Sequence, residues 1–369
     1  MTNLTNHVKR ISEAMNNGSQ LDVIYTDFQK AFDSVQFPVL LAKLKKIGLS
    51  DGLLKFFFSY LYGRTQAVRL NEHLSPWFQV NSGVGQGSKL GPLLFLIMIN
   101  DVNEVIKYAT PTLFADDLKL SYEIKDIGDG RKLQLDLDAV HNWSVVNELY
   151  FNFGKCSVVT FSLKKNVILC DYNMGGTVIE RTSSVKDLGI FFDEKLSFDS
   201  HVNSIVKSAF RMLGFIKRMC RAFRSKRTLI SLYNAWVRSR LEYAAIVWDP
   251  IYEHQVNQVE RVQKKFIRYL NTKTNREDSY RIPYDVLLER FELDSLQVRR
   301  QKAKVIYVKK LLTGIENNSS LLACMKLSTR PSRSMDTFYV PCVRLNVCKR
   351  SPIYSLGMAV NNSSVDIFK

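Results

Sequence analysis

Apolar positions in the first half of the chain alternate between helical spacing and short runs typical of buried strands. The first periodic stretch predicts a helix over residues 3–16, which Asn17-Gly18 ends. A β-branched and aromatic run at 21–28 predicts a buried strand. By the same criteria we predict further helices over 31–47, 50–62, 92–100 and 136–147, and further strands over 66–70, 77–80, 113–114, 118–120, 158–163 and 185–192.

The second half follows helical spacing alone. Helices are predicted over 201–223, 225–241 and 256–270, and basic residues lie roughly opposite their apolar faces. An apolar face with cations behind it can pack on a core and offer charge to phosphates. Beyond Asn317 periodic runs are few, and the sequence suggests no function for residues 311–369.

Charge is distributed unevenly along the 369 residues, which carry a net charge of +17. Residues 1–200 hold 21 Lys and Arg against 22 Asp and Glu, a net −1, whereas residues 201–369 hold 31 against 13, a net +18. This distribution is typical of a nucleic-acid-binding region joined to a nearly neutral region that carries carboxylates. The alternative is a solvated basic surface without a ligand.

Composition narrows the class of protein. A chain that is 46% hydrophobic and 11% aromatic is globular, and its length suggests two or three domains. The longest apolar run, 93–99, is too short to span a bilayer, and no secretory signal precedes Asn16. The six cysteines form no CxxC pair and have no zinc spacing. We therefore expect reduced thiols and an intracellular protein, nuclear or cytoplasmic, with no membrane partner.

Adjacent carboxylates at Asp116-Asp117, between two short strands, give the strongest chemical signal. Like charges held together need a cation, and Mg²⁺ prefers carboxylate oxygens. A polar hairpin tip is the alternative interpretation. Asp27, at the end of the buried strand, is either a helix cap or a second ligand.

A glycine-rich loop at 82–88 precedes the helix predicted over 92–100. Glycine allows the backbone to approach a ligand closely, and a loop before a helix suits contact with a phosphate or a base. Many such loops are only turns, so the loop by itself is a weak indicator.

Together these segments resemble the reverse transcriptases of non-LTR (LINE-type) retrotransposons, especially the jockey-like branch. The resemblance covers about residues 1–270 and runs through motifs A to E in order. The motifs are Asp22-Val-Ile-Tyr-Thr-Asp27-Phe28-Gln-Lys-Ala-Phe32-Asp33, Ser82-Gly83-Val-Gly85-Gln86-Gly87-Ser-Lys89-Leu-Gly-Pro92, Phe114-Ala115-Asp116-Asp117, Asn152-Phe-Gly-Lys155-Cys156 and Val185-Lys-Asp-Leu-Gly189.

The resemblance implies an α+β fold, the right-hand palm of a polymerase, in which an antiparallel sheet is packed with helices. The palm would span 21–200, and a basic helical thumb or connection would span 201–310. Residues 1–20 would be a remnant of the fingers, because this family carries a fingers subdomain and usually an endonuclease before motif A. We therefore expect an N-terminally truncated sequence, from either a truncated copy of the element or an incomplete gene model.

Two positions depart from the family pattern. Gly85 stands where the family usually has Pro, and Lys89 stands where it has an apolar residue. The first change loosens the motif B loop and the second adds a charge, but neither removes a catalytic atom.

The implied activity is RNA-directed DNA polymerisation by two-metal nucleotidyl transfer, with RNA template, DNA primer and deoxynucleoside triphosphates as partners. Two Mg²⁺ ions, or Mn²⁺ as a substitute, would be held by Asp27, the Phe28 carbonyl, Asp116 and Asp117. Lys155 would donate a proton to the leaving pyrophosphate. Nucleotide contacts would come from Phe32, Gln86 and Gly87, and nucleic-acid contacts from Lys207, Arg211, Arg218, Arg221, Arg261, Lys264 and Lys265.

Plainer interpretations accompany these roles. Lys155 could be an exposed charge, and Phe32 could be an ordinary core aromatic. The chain as a whole could be a catalytically inactive remnant that only binds nucleic acid.

Overall fold

The chain folds into two compact units. The computed structural model describes residues 1–275, 281–328, 336–343, 345–363 and 367. The sheet unit spans Ser19–Ser183, and the helical unit combines Met1–Gly18 with Ser184–Lys369. In the part of the chain that is described, no helix is long and apolar enough to cross a membrane.

Fourteen α-helices are present in the described ranges, with a π-helical turn at Asn234–Arg238 between the seventh and the eighth. In chain order they are α1 (Thr2–Asn16), α2 (Phe37–Lys46), α3 (Asp51–Leu61), α4 (Leu90–Ile99), α5 (Ile127–Val146), α6 (Asp199–Met219), α7 (Lys226–Tyr233), α8 (Ser239–Glu242), α9 (Ala245–Trp248), α10 (Glu253–Asn275), α11 (Tyr284–Phe291), α12 (Leu296–Leu312), α13 (Ser319–Leu322) and α14 (Pro352–Asn361).

Strands occur in both units, and most of them are short. They are β1 (Gln20–Thr26), β2 (Thr65–Gln66), β3 (Arg69–Leu70), β4 (His73–Leu74), β5 (Phe78–Gln79), β6 (Thr110–Phe114), β7 (Asp117–Ile124), β8 (Ser157–Phe161), β9 (Asn173–Met174), β10 (Thr177–Val178), β11 (Glu180–Arg181), β12 (Ser184–Asp187) and β13 (Ile190–Asp193).

A five-stranded sheet, in the order β11-β8-β1-β7-β6, forms the centre of the sheet unit. All its pairs are antiparallel except β11 with β8. The middle strand β1 is buried along its whole length, as its β-branched and aromatic residues predict. Helices α2, α4 and α5 cover the sheet through Leu40, Leu94 and Leu137, each with no exposed surface. The α+β fold class is confirmed.

The helix predicted over 31–47 is wrong in its first third. Helix α2 begins only at Phe37, with Pro38 in its first turn, and residues 28–36 form turns. The carbonyls of Phe32 and Val35 accept hydrogen bonds from the glycine-rich loop, at 2.9 Å from Val84 N and 2.8 Å from Gly83 N. These long-range bonds replace the helical ones, so Asp33 lies in a turn and not on a helix.

Two other predicted elements differ from the structure. Helix α5 begins at Ile127 rather than near Asp136, because the Asp126 side chain caps it by accepting a bond from the Asp129 N–H. The strand predicted over 185–192 is a hairpin of β12 and β13. Leu188 and Gly189 turn between them with φ of 44° and 85°, as a tight two-residue turn requires.

The helical unit is built around long amphipathic helices, as the apolar spacing predicts. Tyr233 of α7 stacks on Phe266 of α10 with ring centroids 4.0 Å apart, and its hydroxyl bonds Gln263 at 2.9 Å. Helical spacing over 225–241 predicts both Tyr233 and Trp236 on the apolar side, and the prediction is wrong for Trp236, which is 44% exposed. A second core joins α12 to α14, so residues 311–369 include packed structure.

The compact units do not coincide with the predicted domains. Helix α1 groups with the helical unit, where His7 contacts the Phe192 ring with centroids 5.2 Å apart. Residues 184–200, assigned from sequence to the palm, also belong to the helical unit. The fingers, palm and thumb assignments stay predictions.

Candidate active site

Strand register places Asp27 between two chemically distinct neighbours. Thr26 pairs with Leu118 of β7 on one side, and Tyr25 pairs with Ser157 of β8 on the other. Continued by one and two residues, the same registers bring Asp117 and Lys155 beside Asp27. Residues about 90 and 130 positions away from Asp27 in sequence therefore meet it at one end of the sheet.

The hairpin that carries the paired carboxylates is confirmed. Phe114 pairs with Asp117, and Ala115 and Asp116 form the two-residue turn between β6 and β7. Asp116 lies in this turn, whereas Asp117 is the first residue of β7. Ala115 has φ of 51°, a left-handed conformation that costs a non-glycine residue roughly 1 kcal/mol or more. The strained turn fixes the backbone position from which the Asp116 side chain extends.

Asp27 carries an oxygen without a hydrogen-bond donor. Its Oδ2 is buried and accepts no hydrogen bond in the described part of the chain. The Lys155 ammonium lies 3.1 Å from this oxygen, outside hydrogen-bond geometry. Asp27 is not the cap of the next helix, which begins ten residues later at Phe37. The helix-cap alternative is therefore wrong, and the group beside this oxygen is the Lys155 ammonium.

Lys155 ends a short 3-10 helix, Phe153–Lys155, just before β8. The backbone there is tied to the end of β1, because the Asn152 N–H donates to the Asp27 carbonyl at 2.7 Å. The Lys155 side chain is 66% exposed and that of Asp27 is 34% exposed, so their pair is largely solvated and weak. The Lys155 side chain is therefore accessible from solvent.

Phe28 follows Asp27 and packs its ring on Phe151, with centroids 4.2 Å apart. The two backbone bonds that hold this segment run from Asn152 N to the Asp27 carbonyl and from Gln29 N to the Tyr150 carbonyl. Neither bond uses the Phe28 carbonyl, which was predicted as a metal ligand.

The glycine-rich loop packs against the turn that follows Asp27. Ser82 Oγ donates to the Asp33 carbonyl at 2.9 Å, and Gln86 Nε2 donates to Asp33 Oδ1 at 2.7 Å. Gly83 has φ of 85°, and a Cβ there would lie 2.8 Å from the Asp33 backbone. Only glycine permits this approach, which brings predicted nucleotide contacts from two motifs together.

Phe32 and Gly87 take different positions around that loop. The Phe32 ring is partly exposed and stacks on Phe95 of α4, with centroids 4.5 Å apart. Gly87 is exposed, with φ of 79°. Phe32 is thus anchored on the core on one side, which is compatible with both interpretations of its role.

Sequence reasoning missed Arg64, which fixes the loop from behind. Its Nη2 donates to the Gly83 carbonyl at 2.6 Å and its Nε to the Leu61 carbonyl at 2.9 Å. Arg64 directly follows Gly63 at the end of the helix predicted over 50–62, and no motif there indicated a role for it.

Asp22 belongs to motif A, and its carboxylate is fully buried beneath the sheet. It accepts hydrogen bonds at 2.8 Å from Tyr172 and Thr160 and at 2.9 Å from Gln20. Burial, followed by the Asp22 charge, raises the pKa of the Tyr172 hydroxyl, which therefore stays a donor. A lone carboxylate within an apolar strand was the available indication. Its hydrogen bonds tie the middle strand β1 to Thr160 of β8 and to Tyr172.

The predicted nucleic-acid contacts lie in the helical unit. Lys207, Arg211, Arg218, Arg221, Arg261 and Lys265 are exposed, and Lys264 is half-buried. Arg261 and Lys265 of α10 lie over the Phe210 ring of α6, 5.4 and 5.5 Å from its centroid. They line a cavity of about 550 Å³ together with Lys217.

Lys217 was not predicted, because it falls beside the apolar stripe of α6. Its ammonium lies 4.9 Å from the centre of the Tyr269 ring. Burial, and then the nearby Lys265 charge, lowers its pKa. Lys217 therefore adds a partly buried cation to the cavity lined by Arg261 and Lys265.

Carboxylates alone do not complete a metal site. Among the residues that the structure describes, no group of three or more His, Cys, Asp or Glu side chains could hold a metal ion. The donor set of Asp27, Asp116 and Asp117 nevertheless suits a hard divalent cation, which takes remaining ligands from water and phosphates. The buried Oδ2 of Asp27, which accepts no hydrogen bond, supports that fit.

Comparison with known proteins agrees with the motifs. Residues 3–217 match the family described as reverse transcriptase (RNA-dependent DNA polymerase). The chain is 30% identical over 272 residues to the RNA-directed DNA polymerase from mobile element jockey of Drosophila funebris, covering 70% of this chain and 29% of that protein. It is 28% identical over 275 residues to the probable RNA-directed DNA polymerase from transposon X-element of Drosophila melanogaster, covering 71% and 30%.

The chain thus spans less than a third of the length of these relatives. Apo telomerase from Candida tropicalis is 12% identical, with a TM-score of 0.44, over 88% of this chain and 56% of that one. That similarity is too weak to support an argument about the site. Because the family match covers more than half of the chain, the chain belongs to the reverse transcriptase (RNA-dependent DNA polymerase) family.

Proposed function

We propose that this chain carries the catalytic palm of an RNA-directed DNA polymerase from a non-LTR retrotransposon. One observation carries the proposal. In a member of this family, the register of β1 with β7 and β8 brings the Asp27 position beside the Asp116-Asp117 hairpin and Lys155. The alternative of a remnant that only binds nucleic acid is not favoured by the family match.

Reverse transcriptases generally use divalent metal ions, and the proposed ligands here are Asp27, the Phe28 carbonyl, Asp116 and Asp117. Bound Mg²⁺, or Mn²⁺ in its place, would supply charge stabilisation to the nucleophilic oxygen and to the leaving pyrophosphate. The contribution of the protein is placement, since the hairpin turn and the end of β1 hold their carboxylates on one sheet.

Lys155 is proposed as the proton donor to the pyrophosphate. The contact between its ammonium and Asp27 Oδ2, 3.1 Å apart, keeps the proton near the reacting groups before substrate binds. Because the pair is mostly solvated, exchanging Asp27 for a phosphate oxygen costs little.

The two sides of the nucleotide would be bounded by Phe32 and by the loop at Gln86 and Gly87. The ring of Phe32 is fixed against Phe95, so it can exclude a 2′-hydroxyl by its position. Gln86 is oriented by its bond to Asp33, and exposed Gly87 leaves the backbone open to a base pair.

The RNA template and DNA primer are the proposed partners of the helical unit. The exposed cations of α6 and α10 offer charge to phosphates, and the Phe210 and Tyr269 rings beneath them can pack against sugars or bases. Base-specific readout is not expected from such contacts.

The test combines primer extension with metal binding. Once a fingers subdomain is supplied, extension of oligo(dT) on poly(rA) with Mg²⁺ and with Mn²⁺ should fall by at least about a thousandfold in Asp116→Asn and in Asp27→Asn, since each change removes a metal ligand. Mn²⁺ binding by the 369-residue chain, followed calorimetrically, should weaken in the same variants. Asp138→Asn, on the exposed side of α5, is the matched control. Near-normal extension or Mn²⁺ binding in the two variants would contradict the assignment of these carboxylates.

A further inference from the structure

A cavity of about 1000 Å³ in the helical unit lies outside every motif of the polymerase site. It is bounded by α12, by α14 and by the link Asp249–Ile251 that joins α9 to α10. Val305 and Met358 contribute to its apolar wall, and Tyr354 adds an aromatic ring that is only partly buried. We refer to it as the C-terminal cavity.

The electrostatics of the C-terminal cavity favour an anion. Its carboxylate, Asp249, is bound by two cations, Arg300 Nε at 2.6 Å and Lys304 Nζ at 2.6 Å. Arg300 is 2% exposed, and both of its Nη atoms lack a hydrogen-bond partner in the described ranges. One buried negative charge is thus met by two positive charges, which leaves an uncompensated +1 in a region of low dielectric constant.

Two further lysines at the same cavity are unneutralised. Lys309 and Lys349 are exposed and form no ion pair with any residue in the part of the chain that the structure describes. Ammonium groups in such positions bind phosphate as point charges. Lys309 and Lys349 make the rim of the cavity cationic, and the buried Asp249 cluster adds a positive charge behind its wall.

The wall of the cavity suits a planar ring rather than a second phosphate. Apolar surface and the Tyr354 ring provide a stacking face, and base stacking on aromatic side chains is largely independent of sequence. Pockets of roughly 300–1,000 Å³ typically hold small ligands, so a nucleotide from a flexible strand would fit. A nucleotide combines the two chemistries that the rim and the wall offer separately.

We propose that the C-terminal cavity binds a nucleotide of single-stranded nucleic acid, with its phosphates on Lys309 and Lys349 and its base against Tyr354. The +18 charge of residues 201–369 favours a polyanion over a folded protein as the occupant. This proposal goes beyond the polymerase function and does not depend on it.

The test measures binding of fluorescein-labelled hexamers, rU6 and dT6, to the 369-residue chain by fluorescence anisotropy at several salt concentrations. Lys309→Gln with Lys349→Gln should weaken binding about tenfold and lower the slope of log K against log[salt] by about 1.4, as two phosphate contacts to a single strand predict. Lys310→Gln with Lys326→Gln is the matched control, because both lysines are exposed but lie outside the cavity. Comparison of rU6 with dT6 assigns the strand as RNA or DNA.

A second measurement on the unmodified chain tests the position of the base. Hexamers that carry 4-thiouridine should crosslink to a peptide from α14 that contains Tyr354, and an abasic hexamer should bind several-fold more weakly. Three results would each overturn the proposal. The two double variants could bind the hexamers equally well, or the abasic hexamer could bind as tightly as the complete one. An acidic peptide could also displace the labelled hexamer as well as an unlabelled hexamer does. Asp138→Asn, which lies in neither site, should leave this binding unchanged. The hexamer assay contains no deoxynucleoside triphosphate and measures no extension, so failure of the polymerase function is distinguishable from failure here.

Discussion

At the scale of single residues, both the position and the charge of Asp27 matter. One step beyond a fully buried strand, its Oδ2 accepts no hydrogen bond, although the Lys155 ammonium lies 3.1 Å away. A buried carboxylate oxygen without a donor is costly unless a cation binds it. The Lys155 ammonium compensates part of this cost, and the proposed metal ion would compensate the rest.

Phe32 supports a prediction at the same scale. Since its ring is held against Phe95 and is partly exposed, Phe32→Val should open space beside the sugar and raise ribonucleotide incorporation relative to deoxynucleotide incorporation. Single-nucleotide extension with dTTP and UTP measures the ratio. Phe57→Val, which also removes a partly buried ring from the same unit, is the control. An unchanged ratio in Phe32→Val would reduce Phe32 to a core residue.

At the scale of elements, helix α6 is joined to the β12–β13 hairpin through a buried histidine. His201 Nδ1 accepts a bond from the Phe191 N–H at 3.4 Å, and its ring contacts Trp248 edge to face with centroids 5.1 Å apart. Its Nε2 is buried without a partner in the described residues. Burial lowers the pKa of His201 from its usual 6.5 to about 4, so the folded protein holds it neutral.

This lowered pKa predicts the direction of pH dependence. The unfolded chain binds a proton at His201 near pH 6.5 and the folded chain only near pH 4, so stability falls as pH drops through that window. The free energy of unfolding should fall by on the order of 3 kcal/mol over the whole window. Urea unfolding between pH 7 and pH 4 should show this loss in the wild type and not in His201→Gln, which retains an acceptor for the Phe191 N–H. If the free energy of unfolding depended on pH in the same way in both proteins, His201 would not be the source of the loss.

At the scale of the whole molecule, the excess positive charge is separated along the chain from the candidate carboxylates. Residues 1–200 are nearly neutral and residues 201–369 carry +18. Binding of a long polyanion by the second region should be strong, depend steeply on salt and show little sequence preference, because the cations lie on exposed helix faces.

Neutralising one face of α6 tests this expectation. Arg211→Gln, Arg218→Gln and Arg221→Gln together should lower the slope of log K against log[salt] by about one unit for each phosphate contact that is lost. Lys45→Gln, Lys55→Gln and Lys164→Gln, which are equally exposed in the sheet unit, provide a control with the same change in net charge. A slope that stays constant in the arginine variant would mean that this face contacts only solvent.

Local signals explain why much of the architecture was predictable from sequence. The apolar run of β1, the carboxylate hairpin and the amphipathic faces of α6 and α10 each arise from propensities and periodicities within a few neighbouring residues. The motif residues were equally visible, because they stand at fixed offsets from those elements. The sequence by itself therefore determined the α+β class, the family and the candidate carboxylates.

Contacts between distant residues decided the rest. Backbone bonds from the loop at Gly83 end the predicted helix at 31–36, and strand register brings Lys155 to Asp27 across nearly 130 residues. The Asp22 network and the cavity between α12 and α14 likewise join segments that share no local pattern. Periodicity predicts which face of a helix or strand is buried. Register, buried ion pairs and cavities depend on which other element packs against that face. Only the tertiary structure decides that, because the free energy of those contacts exists only once both partners are in place.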